Sequence, residues 1–462
     1  MKAISLNRLR EQSRQKVSKA FMLSFCLSLA LSVACLACNV SMSASPDLPV
    51  ANIRSGLRYE TIQSAIDANE TLNGDTLTVD EGIYYEHVNV TKSLIIVGEN
   101  CSTTIVDSGG YYRGFIISAN NVTLTGFTVQ NARWAIYVNS NGNHVCGNRV
   151  RYSDVGIYLE STNQSLIASN LAEDMNLYGE CIYLRNAEGN IIQQNTLKNS
   201  TYGVSLASSQ RNLLKENTIT NCYYTFYLGS SSNNTFYHNN IFNSTFDVET
   251  YYSRNMWNSS YPAGGNYWSH YAGTDQYRGA LQNIVGSDGV GDTAYNITAD
   301  NMDAYPLIAP INVFDAGTWN QNSYTIAIIS NSTISGFSFN PAEGPFLHFN
   351  LTAQNQSAGF CRVAIPKNLM WTENGWNVTV DANQAKYSAI IDETYTFLYF
   401  TYASNARVIE IRGTSVIPEF PSVLLIFMVL TAIAFYAAKH VRKKSLLREC
   451  WLNRGIQRVI CE

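Results

Sequence analysis

Apolar residues recur through the middle of the chain in short alternating runs, and the runs themselves repeat. Asn148, Asn170, Asn195, Asn217 and Asn239 lie 22, 25, 22 and 22 residues apart. Each sits in the frame Asn-x-apolar-x-x-Asn-x-apolar, as in Asn190-Ile-Ile-Gln-Gln-Asn-Thr-Leu197 and Asn212-Leu-Leu-Lys-Glu-Asn-Thr-Ile219. A second apolar pair keeps step: Ile157/Leu159, Ile182/Leu184, Val204/Leu206 and Phe226/Leu228. Two short alternating strands per repeat, with turns between, predict the coil of a parallel β-helix. One coil cannot bury its apolar side alone, so the coils must stack into a solenoid.

Three inward files follow from the repeat. The first is Val122, Val145, Ile167, Ile192, Leu214 and Phe236. The second is Phe127, Val150, Ala172, Leu197, Ile219 and Ile241, and the third Phe115, Ile136, Ile157, Ile182, Val204 and Phe226. The recurring Asn is expected at the bend, in left-handed backbone, with its amide bonded to its equivalents above and below. The longer repeat around residues 174–179 should loop outward.

These repeats resemble those of the NosD-type right-handed β-helix family. The opening Tyr59-Glu-Thr-Ile-Gln-Ser-Ala-Ile-Asp67, then Gly74-Asp-Thr-Leu-Thr-Val79 and Ser93-Leu-Ile-Ile-Val-Gly-Glu-Asn100, resembles its cap and first coils. Gly264-Gly-Asn-Tyr-Trp-Ser-His-Tyr271, Gly286-Ser-Asp-Gly-Val-Gly-Asp292 and Asp303-Ala-Tyr-Pro-Leu307 resemble its closure, with His270 where the family commonly has Asp. The resemblance implies a fold and leaves activity open, because this fold hosts enzymes, binders and structural proteins.

Beyond the repeats, short runs at 324–329, 336–339, 346–352, 359–365, 376–380, 395–402 and 408–411 predict a small antiparallel β-sandwich. Both ends carry membrane signals. Basic residues from Arg8 to Lys19 precede an apolar run at 20–38, the layout of an export signal or N-terminal anchor. Near the other end, Pro418-Glu-Phe-Pro421 precedes an apolar run at 423–438 and a basic cluster, the pattern of a transmembrane helix with its tail inside. That element resembles the anchors of archaeal surface proteins. The expected architecture is therefore all-β: a signal at 1–45, a right-handed parallel β-helix at 55–310, a β-sandwich stalk at 312–413, an anchor at 417–444 and a cytoplasmic tail at 445–462.

Charge narrows the function. A net charge of −4 gives no basic footprint for nucleic acid. Asn-x-Ser/Thr triplets at Asn89, Asn121, Asn163, Asn243, Asn331 and Asn377 are candidate glycosylation sites on an exported protein. Copper, which the family name suggests, needs clustered His, Cys or Met. His87, His144, His238, His270 and His348 are scattered, although His144 and His238 should occupy similar corners. Asp275, Asp288 and Asp292, around a Gly-rich loop, could hold Ca²⁺, the one cofactor the sequence raises.

Carbohydrate chemistry has two candidate locations. Asp154, Glu173, Asp174 and Glu180, with Arg151 and Arg185, form the best carboxylate group for a hydrolase or lyase. Alternation also sends Tyr137, Tyr158, Tyr183 and Tyr227 outward, beside the series Trp134, Tyr178, Tyr202 and Tyr224. Outward rings can cradle a sugar. The expected protein is thus a membrane-anchored, non-catalytic surface protein with a polysaccharide or envelope glycan as partner. A carbohydrate-active enzyme and a copper-site maturation factor are the alternatives.

Overall fold

A computed structural model describes residues 48–110, 112–352 and 358–416. The expected signal and membrane anchor fall on residues 1–47 and 417–462, outside the described residues. Among the described residues no helix is long and apolar enough to cross a membrane.

The repeats form a parallel β-helix with three strands per coil, one more than the repeat frame suggests. A typical coil carries His144–Cys146, Arg149–Arg151 and Val155–Glu160. The extra strand is easily missed, because only Gly147 and Asn148 separate it from its predecessor. Equivalent strands pair in parallel register from coil to coil, as in Val145↔Ile167, Val150↔Ala172 and Ile157↔Ile182. The helix Ile62–Asp67 buries Ile62, Ala65 and Ile66 over the first coils, and a Thr61/Ser64 capping box fixes its start.

The third inward file stands as read. The other two each carry an error of two residues in one coil. Leu124, not Val122, pairs with Val145, and Val129, not Phe127, pairs with Val150. Val122 and Phe127 instead sit under the asparagine columns: Val122 N–H donates to Asn143 Oδ1 at 2.9 Å and Phe127 N–H to Asn148 Oδ1 at 3.2 Å. Both positions are buried and apolar, so hydrophobicity alone cannot separate them.

Two asparagine ladders run through the interior. In one, Asn148, Asn170, Asn195, Asn217, Asn239 and Asn266 each give the backbone N–H to the Oδ1 of the next, at 3.0–3.1 Å. Asn190, Asn212, Asn234 and Asn255 repeat the pattern. Each amide also donates to a backbone carbonyl of the coil before, as Asn195 Nδ2 does to Ile167 O at 2.9 Å. The left-handed residue of the bend is not the ladder Asn but the one before it: Gly147, Ser169, Gln194, Glu216 and His238 all have positive φ. The ladder Asn is needed for its inward amide, which satisfies buried backbone groups at the corner.

The ladders end in the segment that follows the last coil. Asn255 N–H donates to Asn301 Oδ1 at 3.0 Å, and Asn266 N–H donates to Asp303 Oδ2 at 2.7 Å. The same two acceptors take the indole N–H groups of buried Trp257 and Trp268. Burial pushes the Asp303 carboxyl up to about 7, against the N–H donors that favour its anion. Gly265 is required here, since a Cβ would lie 1.9 Å from Asp303 Oδ1.

Two five-stranded antiparallel sheets follow, spanning Ile311–Trp319 to Val408–Arg412. The sequence reading missed Ile311–Trp319, Asn383–Gln384 and Tyr387–Ile391. This unit docks on the end of the solenoid. Asn240 exchanges two hydrogen bonds with the Ile311 backbone, at 2.8 and 2.9 Å. The buried Arg362 guanidinium donates to the Pro262 carbonyl and lies 4.8 Å from the Phe397 ring. Val290 and Leu307 share an apolar cluster with Ile311 and Ile329.

Candidate functional site

The long strand of each coil sends one residue in and the next out, so outward residues stack into columns. One column reads Tyr137, Tyr158, Tyr183, Ser205, Tyr227 and Glu249. The neighbouring column reads Arg113, Trp134, Val155, Glu180, Tyr202, Tyr224 and Phe246. Tyr178 is not in it. That residue lies on the outward loop, 73% exposed, and Glu180 takes its place because the three-residue insertion shifts the count.

The upstream half of this face is sealed. Tyr137 and Tyr158 are 6% and 3% exposed, packed with Trp134, Ile116, Val155 and Tyr183 in a satellite cluster. Arg113 lies over Trp134 and Tyr137, its Cζ 4.3 and 4.2 Å from the ring centres. Glu160 accepts from Tyr137 Oη at 2.6 Å and Tyr158 Oη at 3.1 Å. Burial and then this carboxylate push the Tyr137 hydroxyl up to about 12. Outward direction therefore does not mean solvent contact here, and the expected Tyr137/Tyr158 platform is not an open surface.

The downstream half is open. Tyr202 stacks on Tyr224 at 5.4 Å, and Tyr224 on Phe246 at 5.3 Å. Tyr223, at the corner, lies 4.8 Å edge-on from Tyr224. Tyr223, Phe246 and Tyr251 are 44–49% exposed, and Tyr227 is half-buried beside them.

Glu180 sits where the two halves meet, with Val155 and Tyr202 as neighbours in its column. Its Oε2 is buried without a hydrogen-bond partner. Burial pushes this carboxyl up to about 7, and the neighbouring Ser205 hydroxyl offsets only part of that. In the sequence Glu180 is one of several local carboxylates, with no sign of this environment. Only the register reveals it.

The other acidic candidates do not form an acid–base pair. Glu173 is buried in a shallow ion-pair bridge, 2.6 Å from Arg149 Nε and 2.8 Å from Lys198 Nζ. Burial acts to raise its carboxyl, but these two cations more than offset it and hold it low. Asp174 is a left-handed corner residue that accepts from Asn199 Nδ2 at 2.9 Å. Asp154 accepts from Asn176 Nδ2 at 2.9 Å. Glu160 lies five residues along its strand from Val155, the partner of Glu180. At about 3.3 Å per residue that places it roughly 17 Å away, beyond glycosidase carboxylate spacings.

The proposed calcium carboxylates are turned to their own loop. Asp275 accepts from the N–H groups of Asp288 and Gly289, and Asp288 from Val290 N–H and Tyr261 Oη. Asp292 accepts from the Gln276 and Tyr277 N–H groups. Among the described residues no three His, Cys, Asp or Glu side chains converge on a metal position. The described residues do not fit copper either. His238 is a half-buried left-handed corner residue bonded to Ala263 O, and desolvation brings its pKa down to about 4. His144 instead opens a strand after Asn143, so the two histidines do not share a corner.

The family model described as "Periplasmic copper-binding protein (NosD)" matches residues 65–273. No curated protein matches the chain. Solved structures with a similar trace include an alginate lyase from Paenibacillus sp. strain FPU-7, at 14% identity over 45% of this chain and 95% of that one, with a TM-score of 0.27. The enzymatically active domain of tailspike protein 2 from bacteriophage CBA120 is similar at 11% identity over 77% of this chain and 70% of that one, with a TM-score of 0.35. A pectin methylesterase in complex with a hexasaccharide is similar at 12% identity over 46% and 75%, with a TM-score of 0.26. The coil register makes this segment a parallel β-helix, and the NosD family model matches that same stretch, residues 65–273.

Proposed function

We propose that this chain is an extracellular, non-catalytic β-helix protein that binds polysaccharide on the open half of its outward aromatic face. The observation that carries the reading is the column Tyr202–Tyr224–Phe246, three rings in coil register on an uninterrupted parallel sheet. Flat, partly exposed rings at the coil spacing suit the apolar faces of successive sugars, and the phenol hydroxyls suit their polar edges. An export signal at 1–45 and an anchor at 417–444 would hold this face outside the cell. The docked sandwich would then act as a rigid stalk.

Glu180 favours one second reading. A carboxyl pushed up to about 7 beside a sugar-sized aromatic platform has the protonation behaviour of a general acid. The candidate partner carboxylate Glu160 lies too far off, so binding remains the preferred function. The two readings separate in one experiment. Purified protein is incubated with immobilised polysaccharides, and both retention and soluble products are measured. Binding predicts retention that falls roughly thirtyfold in Tyr202→Ala/Tyr224→Ala, at about 1 kcal/mol per ring, with no product. Steady release of reducing ends or unsaturated sugars, abolished by Glu180→Gln, would replace it with the enzyme reading.

A further inference from the structure

The outward loop at residues 174–179 carries a three-residue insertion, visible as the single 25-residue spacing among spacings of 22. Its apolar tip Leu177 is 84% exposed. The loop overhangs a groove of about 590 Å³ that runs across successive coils. Asn199, Asn221 and Asn243, one per coil, line it together with Tyr223. No lining residue is charged.

The three asparagines occupy left-handed corners, with φ of 56°, 55° and 50°. Asn is favoured there on backbone grounds alone. Their amides, however, are not all engaged within the chain. Asn199 donates to Asp174, and Asn221 Nδ2 reaches Asn199 Oδ1 at a long 3.5 Å. Asn221 Oδ1 and both amide atoms of Asn243 have no hydrogen-bond partner among the described residues. Neighbouring coils stand about 4.8 Å apart, so the groove presents a donor–acceptor amide at each step of that length. Tyr223 joins it to the aromatic face, 5.3 Å from Phe246.

We propose that the groove binds a neutral, linear glycan lying along the solenoid axis, with its hydroxyls on the Asn221 and Asn243 amides and one ring face against Tyr223. This rests on the glycan-binding reading above and gives it a ligand class. A wall without cations offers nothing to pair with a uronate or sulfate, whose charge would be costly to desolvate. An amide serves a sugar hydroxyl as both donor and acceptor.

The test titrates the full chain with cellohexaose, mannohexaose, chitohexaose and hexagalacturonate. At least one neutral hexamer should bind and the uronate should not. Asn221→Gly, Asn243→Gly and Tyr223→Ala should each weaken binding about fivefold, near one hydrogen bond or ring contact. Glycine keeps the left-handed corner, so the melting temperature should hold and a loss would report the amide. Preference for the uronate overturns the proposal. So does unchanged binding in both glycine variants while Tyr202→Ala loses it, an outcome that leaves the aromatic-face reading standing. Binding of none of the four probes overturns both. Asn199-Ser-Thr201 and Asn243-Ser-Thr245 are also glycosylation triplets. An intact mass showing glycan on either Asn would mean the groove is filled in cis, and would overturn the proposal as well.

Discussion

The two halves of the aromatic face share strand register, outward direction and residue type, yet they form different kinds of surface. Upstream, Trp134 and Tyr137 are closed over by Arg113, and the Tyr137 and Tyr158 hydroxyls are tied by Glu160. Downstream, Tyr202, Tyr224 and Phe246 stack with neither lid nor tie. Alternation decides only which side of the sheet a ring occupies. Its neighbours decide whether that side is a second small core or a place where a ligand can lie. A column of outward tyrosines is thus evidence of a site only where the charged partners stop.

The largest effects should separate inside from outside within one strand. Ile182 is fully buried in the inward file, and Tyr183 stacks half-buried on Tyr158 at 4.8 Å. Ile182→Asp removes buried apolar volume and leaves a carboxylate with no partner, a cost above about 5 kcal/mol. Tyr183→Asp should cost roughly 1–2 kcal/mol. Denaturant melts of both variants check this, and equal losses would mean the register is wrong.

The next comparison is between the halves themselves. Tyr158→Ala should cost about 3 kcal/mol, as for a buried aromatic, and leave glycan retention unchanged. Tyr224→Ala should cost under about 1 kcal/mol and weaken retention. If Tyr224→Ala proves the more destabilising, the downstream rings are core rather than platform.

Glu180, at the boundary, predicts a pH dependence. Its folded pKa is raised from 4.5 to about 7 by burial. The native state therefore holds the proton that the unfolded chain releases. Stability from this group is fully present below about 4.5 and is lost as the pH rises through about 7. One pKa unit corresponds to about 1.4 kcal/mol, so the loss is up to about 3 kcal/mol. His238, held neutral, contributes the opposite slope between 6.5 and about 4. The measurement is therefore the difference between wild type and Glu180→Gln at pH 4.5 and pH 8. A difference that does not change with pH would show that Glu180 titrates alike in the folded and unfolded states.

How much of this was legible in the sequence follows from what repeats and what does not. The solenoid, the third inward file and the Asn columns were readable because each recurs every 22 residues. The first-coil files slipped because Val122 and Phe127 replace ladder asparagines with apolar residues, and apolar identity is all that pattern reading can use. The site was less legible for a related reason. Exposure of Tyr158 depends on Trp134 and Tyr137 in the coil before it, and Glu180 entered the aromatic column only through an insertion that moved Tyr178 out of it. The calcium candidates Asp275, Asp288 and Asp292 face backbone N–H groups in the structure, a direction that sequence spacing does not reveal.

The smallest predicted effect bears on what makes the seal. If Glu160 is part of it, Glu160→Gln should leave Tyr137 in place but remove a negative charge 2.6 Å from its hydroxyl. Burial, the larger cause, would persist, so the Tyr137 hydroxyl should fall only part of the way from about 12 toward its ordinary value. The stability cost should be modest, on the order of 1 kcal/mol, because glutamine still accepts a hydrogen bond. Nitration at pH 9, mapped by mass spectrometry, reads the phenolate fraction. Tyr252, 95% exposed in the same molecule, supplies the reference rate. Tyr137 should react faster in the variant than in the wild type, while Tyr224 should react alike in both. An unchanged Tyr137 rate would mean that Arg113 and Trp134 close the upstream half by packing alone. The difference between the halves would then be one of cover, with charge playing no part.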